Sequence, residues 1–244
     1  MSACMDQIHL ALWSRVVFID WNGVLCHDVF WTSIRNNERH PLHDALVQAS
    51  DEFFREDLAA FETWMRGDID INEVVTSFDI QSKDRRFSNI TQYLIRRARQ
   101  DCEQMRVDEG ILETVQTVRG ECFLVLATDN VDVFHDAWTR LRSRGLKADL
   151  EDFYLHHVAH SFDDVLCSSS IGVLKGEAPE LFFGNWLSAR GLGFGKAILL
   201  DDSQKNCEGF RRLGGSAIEV PHKPTDAMLL DMKSRLEEWL QQTE

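Results

Sequence analysis

Three short apolar runs in this 244-residue chain each end in side chains that can do chemistry. Val16-Val17-Phe18-Ile19 leads into Asp20-Trp21-Asn22-Gly23-Val24. Cys122 to Ala127 leads into Thr128-Asp129-Asn130, and Ala197 to Leu200 leads into Asp201-Asp202-Ser203. Taken singly, each ending is an ordinary turn, because Asp, Asn and Ser side chains hydrogen-bond their own local backbone. Taken together they converge if the runs are strands of one parallel sheet, since ligands bind beyond the carboxyl ends of such strands. Several acids and a hydroxyl would then share one edge. An anionic substrate there would need a positive centre, either a metal ion or a placed lysine.

The elements that must position these residues are legible as patterns. Five apolar, β-branched runs read as buried strands: Val16 to Ile19, Cys122 to Ala127, Val165 to Cys167, Ala197 to Leu200 and Ala217 to Val220. Helical spacing separates the later ones. Val133, Ala137 and Leu141 share one face, with Gly145 as a stop; Leu181, Phe182 and Trp186 lie on a second. Cys207, Phe210 and Leu213 lie on a third, and Leu229, Met232, Leu236 and Trp239 follow a helix start at Pro224-Thr225-Asp226. Strands alternating with helices predict an α/β fold, a Rossmann-like three-layer core with a parallel sheet covered on both faces.

The stretch from His27 to Arg106 reads as helical throughout. Phe54, Leu58, Phe61 and Met65 make one apolar stripe ended by Gly67, and Ile90, Leu94 and Ala98 make another. A helical insertion after the first strand sits above the strand ends. The expected organisation is a core of residues 1–26 plus 107–244 and an inserted α-helical cap domain of residues 27–106.

Bulk properties narrow the function classes. With 44% hydrophobic residues the chain can bury a sizeable core. Its net charge of −14, from 40 acidic and 26 basic residues, disfavours binding to nucleic acid or anionic membrane. The six cysteines form no CxxC pair and read as free thiols of a reducing compartment. No signal-peptide pattern or membrane-span window is seen, so a cytoplasmic location is expected.

The polar endings, in their order, resemble the motifs of the haloacid dehalogenase (HAD) superfamily, specifically its phosphohydrolase-like members. Asp20-Trp21-Asn22-Gly23-Val24 resembles the first motif, Asp-x-Asp-Gly-Thr/Val. Thr128 stands where the second motif has a Ser or Thr ending the next strand. Gly172-Val173-Leu174-Lys175-Gly176-Glu177-Ala178-Pro179 takes the place of the lysine motif. Leu200-Asp201-Asp202-Ser203-Gln204-Lys205-Asn206 resembles the acidic pair. The resemblance covers nearly the whole chain, and residues 27–106 look like the cap found after the first motif in one large subgroup.

The resemblance implies a role for each residue. Asp20 is the nucleophile that forms an aspartyl-phosphate. Asp20 and Asp202 are carboxylate ligands of Mg²⁺, Asn22 ligates through its backbone carbonyl, and Asp201 is a second ligand or a supporting acid. Thr128 hydrogen-bonds a phosphoryl oxygen, and Lys175 offsets negative charge on that group and on Asp20. Backbone groups of Asn22, Gly23 and Asp129 complete the cradle for a small phosphorylated substrate. Asn206 orients the loop bearing Asp202.

Two departures stand out: Gly176 replaces the usual Pro after the lysine, and Asn22 replaces the second Asp. In the family that Asp protonates the leaving oxygen and then activates water, which an amide cannot do. Losing such help costs on the order of 10²–10⁴ in rate. Three readings stay open: substrates with good leaving groups such as acyl or aryl phosphates; a proton supplied by His27 or Asp28; or a phospho-ligand-binding, regulatory protein. A phosphonate hydrolase is also open, since its motif lacks the second Asp; Lys83 is the lysine of the inserted segment able to form its Schiff base. The Asp201-Asp202 pair argues against a dehalogenase, which needs no metal.

Other signals are weaker. His156, His157 and His160 lie in a polar connection without matching acids and read as loop residues. Arg66, Arg85, Arg86, Arg96 and Arg97 read as solvated helix faces. Trp21 either faces the cap or packs.

Overall fold

In the computed structural model, residues 14–143 and 154–242 are described, leaving out the side chains of His156 and His157. Cys4 and Gly145 lie outside the described residues. Five strands form one parallel sheet: β1 (Val16–Ile19), β2 (Phe123–Thr128), β3 (Asp164–Cys167), β4 (Ala197–Asp201) and β5 (Ser216–Glu219), in the order β3-β2-β1-β4-β5. This is the α/β architecture expected. The strands alternate faces as a pleated sheet must. Val17, Ile19, Leu124 and Leu126 enter one hydrophobic cluster, while Val16, Phe18, Phe123, Val125 and Leu199 enter the other.

Expected strand bounds shift by at most one residue: β2 starts at Phe123, β3 starts at Asp164, and β5 runs Ser216–Glu219. At two ends the shift takes in a polar residue of the candidate site, since Thr128 and Asp201 belong to β2 and β4 rather than to the turns after them. Neither is an apolar residue, so the pattern under-reads the strand where it matters.

Between β1 and β2 the chain forms helices α1 (Thr32–Arg35), α2 (His43–Asp51), α3 (Leu58–Met65), α4 (Ile71–Ser77), α5 (Ile90–Glu103) and α6 (Glu109–Gln116). The stripe through Phe54, Leu58, Phe61 and Met65 is not one helix. A π-helical turn at Glu52–Glu56 ends at Asp57, whose carboxylate accepts from the Ala60 N–H at 3.1 Å and starts α3 afresh. Leu58 is consequently exposed. Helix α6, which the apolar pattern does not announce, is capped by Asp108 through the Ile111 N–H at 2.9 Å.

Beyond β2 follow α7 (Asp132–Ser143), α8 (Leu155–Val158), α9 (Ser168–Ile171), α10 (Pro179–Ser188), α11 (Gln204–Arg212) and α12 (Asp226–Gln241). Phe183 and Phe210 from α10 and α11 pack on Phe18, at ring-centroid distances of 4.9 and 6.1 Å. Leu181 of α10 points outward and is exposed, unlike its expected place on the packed face.

The helices between β1 and β2 are seated in the same cluster as the sheet. Trp31, Trp64 and Leu94 join Val17 and Leu126 there. Polar ties reinforce the seat. Asp132, at the start of α7, accepts from Trp64 Nε1 at 2.7 Å and from the Ile71 N–H at 3.1 Å. Arg66 pairs with Glu177, and Gly67 (φ 76°) lies against Ser169, whose carbonyl oxygen a Cβ there would approach to 2.2 Å.

Asp132→Ala strands two donors, one of them the indole of fully buried Trp64. An unsatisfied buried donor costs about 1–3 kcal/mol. A stability loss of that order is expected in urea unfolding, with earlier proteolytic cutting between residues 52 and 89. Unchanged protection would show that apolar packing alone holds the segment.

Candidate functional site

The sheet register assembles the site. Ile19 pairs with Leu200 on one side and Leu126 on the other. The next residues along are therefore Asp20, Asp201 and Ala127, with Thr128 one step beyond. The Asp20 N–H continues the ladder to the Leu200 carbonyl at 2.9 Å. In this strand order the chain winds away from β1 in opposite directions, toward β2 and toward β4. The crevice between β1 and β4 is the place where ligands bind in open parallel sheets.

Lys175, in the loop before α10, reaches back into that crevice. Its side chain is 1% exposed, and Nζ lies 2.8 Å from Asp20 Oδ2 and 2.7 Å from Asp201 Oδ2. It also donates to the Ala127 carbonyl at 3.1 Å, so its donors are fully used. Burial opposes the charge on Lys175, but Asp20, Asp201 and Asp129 outweigh it and hold the ammonium above the ordinary lysine range. For Asp20, burial raises the carboxyl pKa, Asp201 and Asp129 add to the effect, and Lys175 opposes it. The other oxygen of Asp20, Oδ1, accepts from the Trp21 N–H at 2.7 Å.

Asp201 is entirely buried and fully hydrogen-bonded. It accepts from Lys175, from Asn206 Nδ2 at 3.1 and 3.2 Å, and from the Ser203 N–H at 2.9 Å. Asn206 thus grips Asp201, the neighbour of Asp202. Asp202 is exposed, and burial followed by the adjacent Asp201 raises its carboxyl above the usual range. Asp20, Asp201 and Asp202 bring carboxylate oxygens within 4.8 Å of one another. Hard oxygen donors at this spacing fit Mg²⁺. With Asp201 already committed to three partners, Asp20 and Asp202 are the acids best placed as direct ligands.

Thr128 is fully buried, and its Oγ1 has no hydrogen-bond partner. A buried hydroxyl left so is costly unless a ligand satisfies it. Asp129 also has a side-chain role beside the expected cradle. Its carboxylate accepts the Lys175 N–H at 2.8 Å and so fixes the loop that carries the lysine. Asn22 is exposed, and its Nδ2 reaches the Asp129 carbonyl at 3.5 Å. Trp21 is fully buried against Phe134 at 5.2 Å, which makes it a packing residue.

Gly23 has φ 82°, and a Cβ there would fall 2.1 Å from Asp202 Oδ2. Gly23→Ala must therefore displace Asp202 as well as strain the backbone, which by itself costs roughly 1–2 kcal/mol. We expect the Mg²⁺ Kd measured by calorimetry to rise about tenfold, which corresponds to 1.4 kcal/mol. An unchanged Kd would separate Asp202 from the metal site.

A cleft of about 450 Å³ opens beside Asn22 and Gly23. Its walls come mainly from the segment between β1 and β2, including Val29, Phe30, Phe54 and Phe61, with His27 and His222 also lining it. The two imidazoles meet edge-on at 4.4 Å, and burial, then His222, lowers the His27 pKa. Sequence patterns mark Phe54 and Phe61 only as an apolar stripe and give no signal for Val29, Phe30 and His222. They come together only through the fold. Lys83 is exposed and is not among the residues lining this cleft, and Arg66 is engaged with Glu177 and Glu62. Arg86 pairs with Asp84, and His160 is remote from the cleft walls, its carbonyl accepting from Arg119.

No family model and no curated protein matches the sequence. The fold does match solved structures. A HAD family enzyme of Bacteroides thetaiotaomicron in complex with magnesium superposes with a TM-score of 0.59 at 16% identity, covering 88% of this chain and 98% of that one. A HAD-like family hydrolase from Porphyromonas gingivalis gives 0.59 at 15% identity, over 94% and 98%. An L-2-haloacid dehalogenase from Xanthobacter autotrophicus with chloropropionic acid covalently bound gives 0.54 at 11%, over 90% and 82%. The chain has the fold of the haloacid dehalogenase superfamily. Among the described residues no helix is long and apolar enough to cross a membrane, and Cys26, Cys102, Cys122, Cys167 and Cys207 are free and buried.

Proposed function

We propose that the protein is a Mg²⁺-dependent phosphohydrolase of this superfamily, acting on a small phosphorylated metabolite through an aspartyl-phosphate on Asp20. The observation that carries it is the buried Lys175 bridging Asp20 and Asp201, with the unpartnered Thr128 hydroxyl beside them. A dehalogenase has no need of a second acid at the nucleophile. The proximity of Asp202 to Asp20 favours the metal-dependent branch. In this reading residues 27–106 are the cap and residues 1–26 plus 107–244 the core.

Asp20, Asp202 and the Asn22 carbonyl would hold Mg²⁺, which would supply positive charge to offset the phosphoryl oxygens. Lys175 offsets part of the negative charge in the crevice, so that the phosphate approaches a carboxylate against less repulsion. Thr128 Oγ1 donates to a phosphoryl oxygen. Asp20 attacks phosphorus as the bond to the leaving oxygen breaks, and water then cleaves the acyl phosphate to release inorganic phosphate and restore Asp20. Asp201, held by Asn206 and the Ser203 N–H, keeps Lys175 aimed at Asp20. Asp129 does the same for the lysine loop.

The test is turnover across a panel of phosphate esters and acyl phosphates, with Mg²⁺ and with chelator. Metal-dependent release of phosphate from at least one member is expected. Chelator-insensitive release, or release of halide from a 2-haloacid instead, would overturn the reading.

A further inference from the structure

The leaving group can be specified further, on the basis of the phosphohydrolase reading. We propose that the substrate is an aryl phosphate, a monoester whose leaving oxygen is phenolic and whose ring lies in the cleft against Phe54 and Phe61.

Two independent observations meet here. The first is the shape and chemistry of the cleft. It runs from Asn22 and Gly23 to the aromatic wall, and its volume of about 450 Å³ suits a small organic body. Phe54 and Phe61 stand edge to face at 5.0 Å and 84°, and Phe54 is parallel to Trp64 at 6.4 Å. Both phenylalanines remain partly exposed, and Val29 on the same cleft is 50% exposed. Of the two arginines on this cleft, Arg35 is engaged, pairing with Asp51 at 2.8 Å and bonding Ser50, while Arg55 is largely exposed and lies 3.9 Å from the same Asp51. Between them the wall is aromatic, and a flat ring finds edges and faces there.

The second observation is the group at the mouth. The position that should carry a proton for the leaving oxygen carries the Asn22 amide, which has none to give. Asp28, also on the cleft, accepts the Arg106 N–H at 2.8 Å and serves as an acceptor. His27 is held toward its neutral form by burial and by His222. The leaving oxygen must therefore depart as an anion. A phenol, with a pKa of about 10, does so far more readily than an alcohol, whose hydroxyl is a much weaker acid. In the step itself an Asp20 oxygen bonds to phosphorus while the ester P–O bond breaks. The electron pair leaves on the phenolate, which takes its proton from bulk water. Water then attacks phosphorus, the bond to Asp20 breaks, and phosphate departs as the water proton passes to solvent.

The test uses the full chain with Mg²⁺ and four substrates: p-nitrophenyl, phenyl, 1-naphthyl and glycerol phosphate. Aryl phosphates are expected to exceed glycerol phosphate in kcat/KM by about 100-fold or more, the scale of a missing general acid. Asn22→Asp should raise the glycerol phosphate rate preferentially. Phe54→Ala should raise KM for 1-naphthyl phosphate about tenfold and leave acetyl phosphate within about twofold. Val29→Glu, at a half-exposed position that carries no fold, should do the same and guards against a folding defect in the first variant. Comparable turnover of glycerol and aryl phosphates overturns the proposal while leaving the phosphohydrolase reading intact. So does loss of glycerol phosphate activity in His27→Ala, which would show that His27 supplies the proton. Indifference of 1-naphthyl phosphate to both cleft variants overturns it too. No turnover of any ester overturns both.

Discussion

Asp20→Asn is expected to abolish Mg²⁺-dependent turnover of p-nitrophenyl phosphate, by a factor on the order of 10⁴ or more. This substrate isolates the nucleophile because its leaving group needs no acid. The amide matches the carboxylate in shape, so the effect is chemical rather than steric. On the proposed mechanism it removes the attacking atom and weakens the metal site together. The fold should survive. Burial disfavours charge on Asp20 while Lys175 favours it, so a neutral side chain there relieves part of what the lost ion pair removes, and Lys175 keeps Asp201 as its partner. The measurement is steady-state kinetics beside a urea unfolding curve. Retained turnover in a folded variant would sink the nucleophile assignment.

Lys175→Met should have the largest effect on stability. The ammonium is the sole cation touching Asp20 and Asp201 among the described contacts, and all three side chains are at most 9% exposed. Removing one member of a buried ion pair typically costs about 3–5 kcal/mol, because the remaining charge is left unpaired. The pH dependence has a definite sign. Lys175 is held above its unfolded value, so its own stabilisation is complete below the usual lysine pKa of about 10.4 and is lost only as pH rises through the folded value. In the variant the influence that lowers the Asp20 pKa is gone, so Asp20 stays protonated to higher pH than in the parent, where burial puts it at about 8. Both native states then bind more protons than their unfolded states from about pH 4 upward, and the variant goes on losing stability above about pH 8, where Asp20 of the parent has ionised. The gap between variant and parent should be wider at pH 9 than at pH 6, by urea unfolding at each. A gap that narrows with pH, or parent-like stability at pH 9, would remove Lys175 from the centre of the site. Activity should fall together with stability, since Lys175 also neutralises the approach of phosphate.

Much of the core was legible in the sequence, for a simple reason. Strands buried on both faces are continuous apolar runs, so β1 is read to the residue and the others to within one. The one-residue errors fall where polar residues continue a strand past its apolar run, as at Thr128, Asp164, Asp201 and Ser216, and where an apolar residue lies just outside one, as at Cys122 and Val220. The order of strands is not written in any local pattern. It follows from crossover connections that only the folded chain displays. Lys175 could be noticed from its motif, but not its burial, which depends on segments far apart in the chain. The same holds for the Asp129 carboxylate, whose grip on the Lys175 N–H no local pattern announces. In the helical segment the periodicity at Phe54, Leu58, Phe61 and Met65 is real but runs across a break at Asp57, where a side-chain cap outcompetes the continuing helix.

The seating of the segment between β1 and β2 in the sheet's own hydrophobic cluster, with Trp64 tied to Asp132, bears on how specificity could be altered. A lid hinged on two strands can be exchanged whole between relatives, taking its preference with it. This segment cannot be lifted out without exposing the aromatic side chains that also cover the sheet. New preferences must instead arise by substitution along the cleft wall, one side chain at a time, with the backbone retained. Residues such as Val29 and Phe61 are where such drift can occur at little cost to the rest of the molecule. A library confined to the wall should yield altered selectivity more often than grafted segments yield folded protein.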